Sequence, residues 1–153
     1  MRAPAIRLAA ALSAAMICGP AAAQDPAGGW SLRAAEGADP VAVSTGPGAI
    51  RDVMLFCLSG VPFLALRLAE PRDAPYLEIG FAFSDGAITA PAGREDGLDG
   101  AYVIDLAANA LAPRLAGRDS RVDISLDGAA QGVLSLSGSS RAIPGALAGC
   151  HEF

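Results

Sequence analysis

Residues 53–68 constrain the fold most. They form the most apolar run beyond the leader, and taken alone they resemble a membrane span. Ser59-Gly60 and Pro62 interrupt the run, and Arg67 stands near its end. Two short strands fit better, over residues 52–58 and 63–68, turning near Ser59-Gly60. The first is apolar on both faces, with Val53, Leu55 and Cys57 alternating with Met54, Phe56 and Leu58. That pattern predicts a central strand covered on both sides. Pro62 suits the start of a strand and not its middle.

Period-two alternation continues elsewhere. Trp30 and Leu32, then Val41 and Val43, mark two short runs before the loop at Gly46-Pro47-Gly48. Leu77, Ile79, Phe81 and Phe83 give the cleanest alternation. Asp85-Gly86 follows them, a strong hairpin signal because both residues tolerate positive φ. Residues 91–100 hold a proline, three glycines and several charges, and they read as an exposed loop. Residues 102–106 predict another strand. Residues 106–115 predict a short helix, which Pro113 would break. Val122, Ile124 and Leu126 form a strand that turns at Asp127-Gly128 and returns through Leu134 and Leu136. Ser139 or Ser140 is placed to cap a last helix running to Leu147, with Pro144-Gly145 tending to shorten it. The expected fold is mainly β: an antiparallel sandwich or partly closed barrel of about eight short strands, with one or two short helices. Most aromatic residues, Phe56 and Phe63 included, fall on strand faces expected to be buried.

The first 23 residues read as a secretory signal. Arg2 and Arg7 supply the positive start, residues 8–17 the apolar stretch, and Ala21-Ala22-Ala23 the small residues before cleavage, leaving Gln24 first. The apolar stretch is too short to stay as a membrane span. The competing reading is a buried N-terminal helix. Cys18 raises lipidation, but Ala15 and Ile17 occupy the positions where such sites want a leucine and a small residue. Residues 24–29 look like a disordered lead, and residues 30–153 like one β-rich domain. All 16 acids but only nine of the 11 arginines follow residue 23, and lysine is absent. An acidic balance argues against nucleic acid as a partner, since phosphate binding needs basic clusters.

Beyond the leader two cysteines remain, Cys57 and Cys150. In an oxidising compartment an even pair in a small domain predicts a disulfide, with two buried thiols or a metal pair as rivals. His151 is the only histidine and is the third residue from the end. It offers little to a catalytic triad or to a Cys150-His151 nucleophile. Glu95, Asp96 and Asp99, with Asp105 beyond, raise calcium or general acid/base chemistry. The ordered Asp-x-Asp-x-Asp-Gly pattern is missing, and a charged, solvated loop explains the cluster. Arg114, Arg118 and Arg121 are the densest basic group, a solvated loop face or a small anion patch. No catalytic, metal or cofactor-binding residue is assigned.

The segment from Tyr102 to Cys150 runs strand, Ala-rich stretch, then Val122-Asp123-Ile124-Ser125-Leu126-Asp127-Gly128. It ends on Leu134-Ser135-Leu136-Ser137-Gly138-Ser139-Ser140 and a short apolar helix. It resembles the C-terminal half of small secreted bacterial proteins of the invasion-associated locus B type. It also looks like accessory periplasmic proteins linked to type VI secretion. The locus B family usually carries further cysteines, which this chain lacks. The resemblance implies an exported, sheet-rich, non-catalytic protein. Export, one disulfide, small size and no catalytic constellation give the expected role: a periplasmic or secreted module binding a protein or envelope component. The alternatives are an inhibitor of an envelope or secreted hydrolase, presenting residues 90–100, and a hydrolase working through carboxylates.

Overall fold

A computed structural model describes residues 28–34 and 36–153. The expected signal peptide, Cys18 and residues 24–27 of the lead lie outside the described residues, while Gly28 and Gly29 are half-buried. The fold is mainly β. Nine strands follow one another: β1 Ser31–Arg33, β2 Val41–Thr45, β3 Ile50–Leu58, β4 Val61–Leu68, β5 Tyr76–Phe83, β6 Gly86–Glu95, β7 Ala101–Asp105, β8 Arg121–Leu126 and β9 Ala129–Ser135. Two helices accompany them, α1 Leu111–Leu115 and α2 Ser139–Leu147. The strands make one antiparallel sheet in the order β1-β2-β3-β4-β7-β6-β5-β8-β9.

The turn residues explain the hairpins. Ser59-Gly60 (φ 52° and 80°) joins β3 to β4, and Asp127-Gly128 (φ 49° and 77°) joins β8 to β9. Both loops have two residues in the left-handed region, which matches the twist of the flanking strands. Phe83 pairs directly with Gly86, so the β5–β6 turn is Ser84-Asp85. Of the expected Asp85-Gly86 pair, only Gly86 takes positive φ.

One core lies inside the curled sheet. Val53, Leu55, Leu64, Leu66, Ile79, Phe81, Tyr102, Ile104 and Ile124 point inward, and Leu111, Leu115, Ile143 and Leu147 join them from the helices. Helix α2 lies against β1, β2 and β3. The Cys57–Cys150 disulfide ties β3 to the residues just beyond α2 (Cα–Cα 6.0 Å). This removes the thiol, metal-pair and Cys-nucleophile readings. Among the described residues no ladder joins β1 to β9, so the sheet is not closed. Three hydrogen bonds cross the seam instead. Trp30 N donates to Ser137 O (2.8 Å), Trp30 Nε1 to Ser135 O (3.0 Å), and Ala49 N to Gln131 Oε1 (3.0 Å).

Three expectations need correction. Residues 91–95 are strand, not loop, because Pro91 costs the ladder nothing where it stands. Arg94 N donates to Pro75 O (2.9 Å), and bonded pairs alternate from there. The Glu78–Pro91 pair is therefore a non-bonded one, and the proline nitrogen faces away from β5. On that other side the β6–β7 pairing covers only Gly93, Arg94 and Glu95. Pro113 does not break α1: it sits in the first turn, where an N–H has no intrahelical acceptor anyway. The serines do not cap α2. Gly138 (φ 80°) is the N-cap, and Ser139 is buried as the first helical residue.

Candidate interaction surface

Alternation on β3 sends Val53 and Leu55 into the core and Met54, Phe56 and Leu58 outward. On β4, Val61 and Phe63 face the same outer side, and Val103 on β7 joins them. The expectation that β3 is covered on both faces is not met. Among the described residues no layer packs over its outer face. Met54, Phe56, Phe63 and Val103 are half-buried, and Leu58 is 56% exposed. These side chains shelter one another instead. The rings of Phe56 and Phe63 lie 6.2 Å apart at 38°. Leu98, in the short 3₁₀ turn Asp96–Leu98, lines a hollow of about 270 Å³ with Phe56, Leu58, Phe63 and Val103.

The acidic residues border this face without converging. Glu95 ends β6 and lines the hollow. The Asp96 carboxylate lies 3.2 Å from Arg94 Nε, and Asp99 lies 3.9 Å from Arg67 Nη1. Asp99 takes a left-handed backbone (φ 56°) where the chain turns into β7. Asp105 is spent partly on structure, its Oδ1 accepting from Ala107 N at 2.8 Å. Among the described residues no group of three His, Cys, Asp or Glu side chains is placed to hold a metal ion.

The arginines separate into two settings. At the β1–β4 end of the outer face, Arg33, Arg51 and Arg67 line a depression of about 360 Å³ with Asp52, Ser44 and Thr45. Arg67 grips Asp52 with two parallel bonds (2.7 and 2.8 Å), and Arg51 Nε reaches the same carboxylate at 3.2 Å. The bond to Asp52 raises the Arg67 pKa above its ordinary value, burial opposing it. A β-bulge between Ile50 and Asp52 brings Arg51 beside this pair. The second setting is the Arg114 group. Arg114 pairs with Asp85, lies 4.0 Å from Asp119, and stacks over the Phe83 ring at 4.4 Å. Acids neutralise it, while Arg118 and Arg121 remain exposed. The His151 ring packs edge-on against Phe153 at 4.7 Å.

Sequence reasoning located the acids but missed the apolar face. It assigned Phe56 and Phe63 to the core, because alternation shows that a face is apolar and not whether anything covers it. The missed signal was Leu58, a large apolar residue at a hairpin tip, where coverage is least available. No described helix is long and apolar enough to cross a membrane. No family model, curated protein or solved structure matches this chain.

Proposed function

We propose that this protein is a non-enzymatic exported module whose outer sheet face binds a protein. One observation carries the reading: β3, β4, β7 and the Asp96–Leu98 turn present Phe56, Leu58, Phe63, Val103 and Leu98 together on a face that no described element covers. Contiguous exposed apolar side chains rimmed by charge characterise interaction surfaces. Export rests on the leader, with Arg2 and Arg7 before an apolar stretch and three alanines before Gln24. The resemblance to exported, sheet-rich bacterial proteins accords with it.

Two measurements test the two halves. N-terminal sequencing of the protein from producing cells should begin at or near Gln24; an intact Met1 in the membrane fraction would make the leader an anchor. A photo-crosslinking amino acid at Phe63 should capture a protein in those cells, while the same probe at Asp123, exposed on β8, should not. Equal capture at both positions, or none at Phe63, removes the surface from consideration.

A further inference from the structure

The hollow on the outer face has an apolar floor and an acidic rim. Phe56, Leu58, Phe63, Leu98 and Val103 supply the floor, and Glu95 is the one charged side chain among the lining residues. A Cβ on Gly97, which also lines the hollow, would lie 3.5 Å from Glu95 Oε1, so this carboxylate sits at the hollow's edge. Asp105 brackets Val103 from the opposite direction. Glu95 pairs with Ala101, two residues before Val103, while Asp105 stands two residues after it and pairs with Phe63. Strand alternation therefore sends the Asp105 side chain to the same face as Val103. Both acids are exposed, and neither forms an ion pair among the described residues. One oxygen of Asp105 is left over from its bond to Ala107. The nearby cations are engaged elsewhere. Arg67 grips Asp52, and Arg94 lies against Asp96 and donates to Arg72 O (2.9 Å). The hollow thus offers apolar contact beside two unanswered negative charges, and no cation lines it.

We propose that the hollow seats a cationic, amphipathic segment of a partner protein. One large apolar side chain of that segment fills the hollow, and lysine or arginine on either side of it meets Glu95 and Asp105. The proposal rests on the reading of the outer face as a protein-binding surface, and it names the chemistry of what binds there. At about 270 Å³ the hollow is smaller than the roughly 300–1,000 Å³ of sites that bury a drug-sized ligand. It suits a single side chain of a larger partner. Burial of that side chain supplies attraction without direction, and charge chooses among partners. A second copy of the chain, docked by the same hollow, would bring like acids together. An acidic peptide or an anionic lipid surface would be repelled by the same rim. The formal net charge of −5 acts in the same sense at long range, drawing cationic partners and turning acidic ones away.

Peptide titration tests the assignment. The probe is a short synthetic peptide with one phenylalanine between pairs of lysines. It is added at low salt to the purified exported protein, and amide proton–nitrogen spectra are recorded. The amides of Gly97, Leu98 and Val103 should shift, and that of Asp123 on β8 should not. Exchanging the lysines for glutamates, or the phenylalanine for alanine, should weaken binding by at least about tenfold. Glu95→Gln, and Asp105→Asn, which keeps an acceptor for Ala107 N, should each weaken it about two- to fivefold, and high salt should erase that difference. Phe63→Ser should abolish the shifts with an unchanged circular dichroism spectrum. Should that variant fail to fold, Leu58→Ser at the exposed hairpin tip must weaken binding instead. Three results overturn the proposal: no shift at millimolar peptide, a glutamate peptide that binds as well as the lysine one, or a Glu95→Gln, Asp105→Asn double variant that binds as the wild type does. In each case a Phe63 crosslink to a protein in producing cells would leave the binding reading standing. Neither peptide binding nor a crosslink would sink both.

Discussion

Gly138 answers two demands at once. It takes φ 80° as the N-cap of α2, and a Cβ there would lie 2.8 Å from Trp30 O. Gly60 has the same φ of 80° at the β3–β4 turn, with nothing within 4 Å of its notional Cβ. The two glycines separate backbone strain from crowding. Gly60→Ala should cost about 1–2 kcal/mol, the penalty for an L-residue in the left-handed region. Gly138→Ala should cost clearly more, because the Trp30 backbone must also move. Urea denaturation of both variants checks this; equal losses would mean the Trp30 segment yields freely. The two arginine settings teach a related lesson. Runs of charge in the sequence drew attention to Arg114, Arg118 and Arg121. The guanidinium that makes two bonds to one carboxylate is instead Arg67, held by Asp52, 15 residues away and only 14% exposed. Sequence proximity does not report such cross-strand pairs.

Helix α2 has poor intrinsic propensity, with Pro144 inside it and Gly145 following. Packing on β1–β3 and the Cys57–Cys150 bond hold it. The bond spans 93 residues, and closing a loop of that size is worth roughly 4–5 kcal/mol in the chain-entropy model, less where the native state is strained. Cys57→Ser or Cys150→Ser should therefore cost about 2–5 kcal/mol, and the double variant about the same as either alone. Hydrogen exchange in the variants should rise first over residues 139–150 and only later in β3. Uniform loss across the sheet would show that α2 is part of one cooperative unit with it. This disulfide and the mainly β antiparallel fold were legible in the sequence, because cysteine parity and period-two alternation are local signals. The extent of β6 was not. Its inner face is lined by Ala90 and Ala92, too small to mark a strand, and Pro91 reads as a breaker until the bonding register shows it facing away from β5. The two-residue turns at Ser59-Gly60 and Asp127-Gly128 were legible for the opposite reason: their chemistry is confined to the turn itself.

At the scale of the whole molecule, the expected choice between sandwich and partly closed barrel becomes a single curled sheet with an unladdered seam. The apolar outer face was invisible beforehand for the same reason the seam was. Both depend on which strands end up without a neighbour, and alternation along one strand carries no such information. The seam has an optical consequence. The chain has one tryptophan, and Trp30 sits on this line, 5% exposed, its indole bonded to a carbonyl 105 residues ahead. All of the molecule's indole emission therefore comes from the junction between its beginning and its end. Gln131→Ala removes the acceptor for Ala49 N, the seam bond that does not involve Trp30, at a cost of about 1 kcal/mol. Under native conditions, acrylamide should quench that variant more strongly than the wild type, with far-ultraviolet circular dichroism unchanged. Equal quenching would mean the seam opens only when everything else does. Unequal quenching would make the native fluorescence a gauge of how often the first strand parts from the last, read without adding a label.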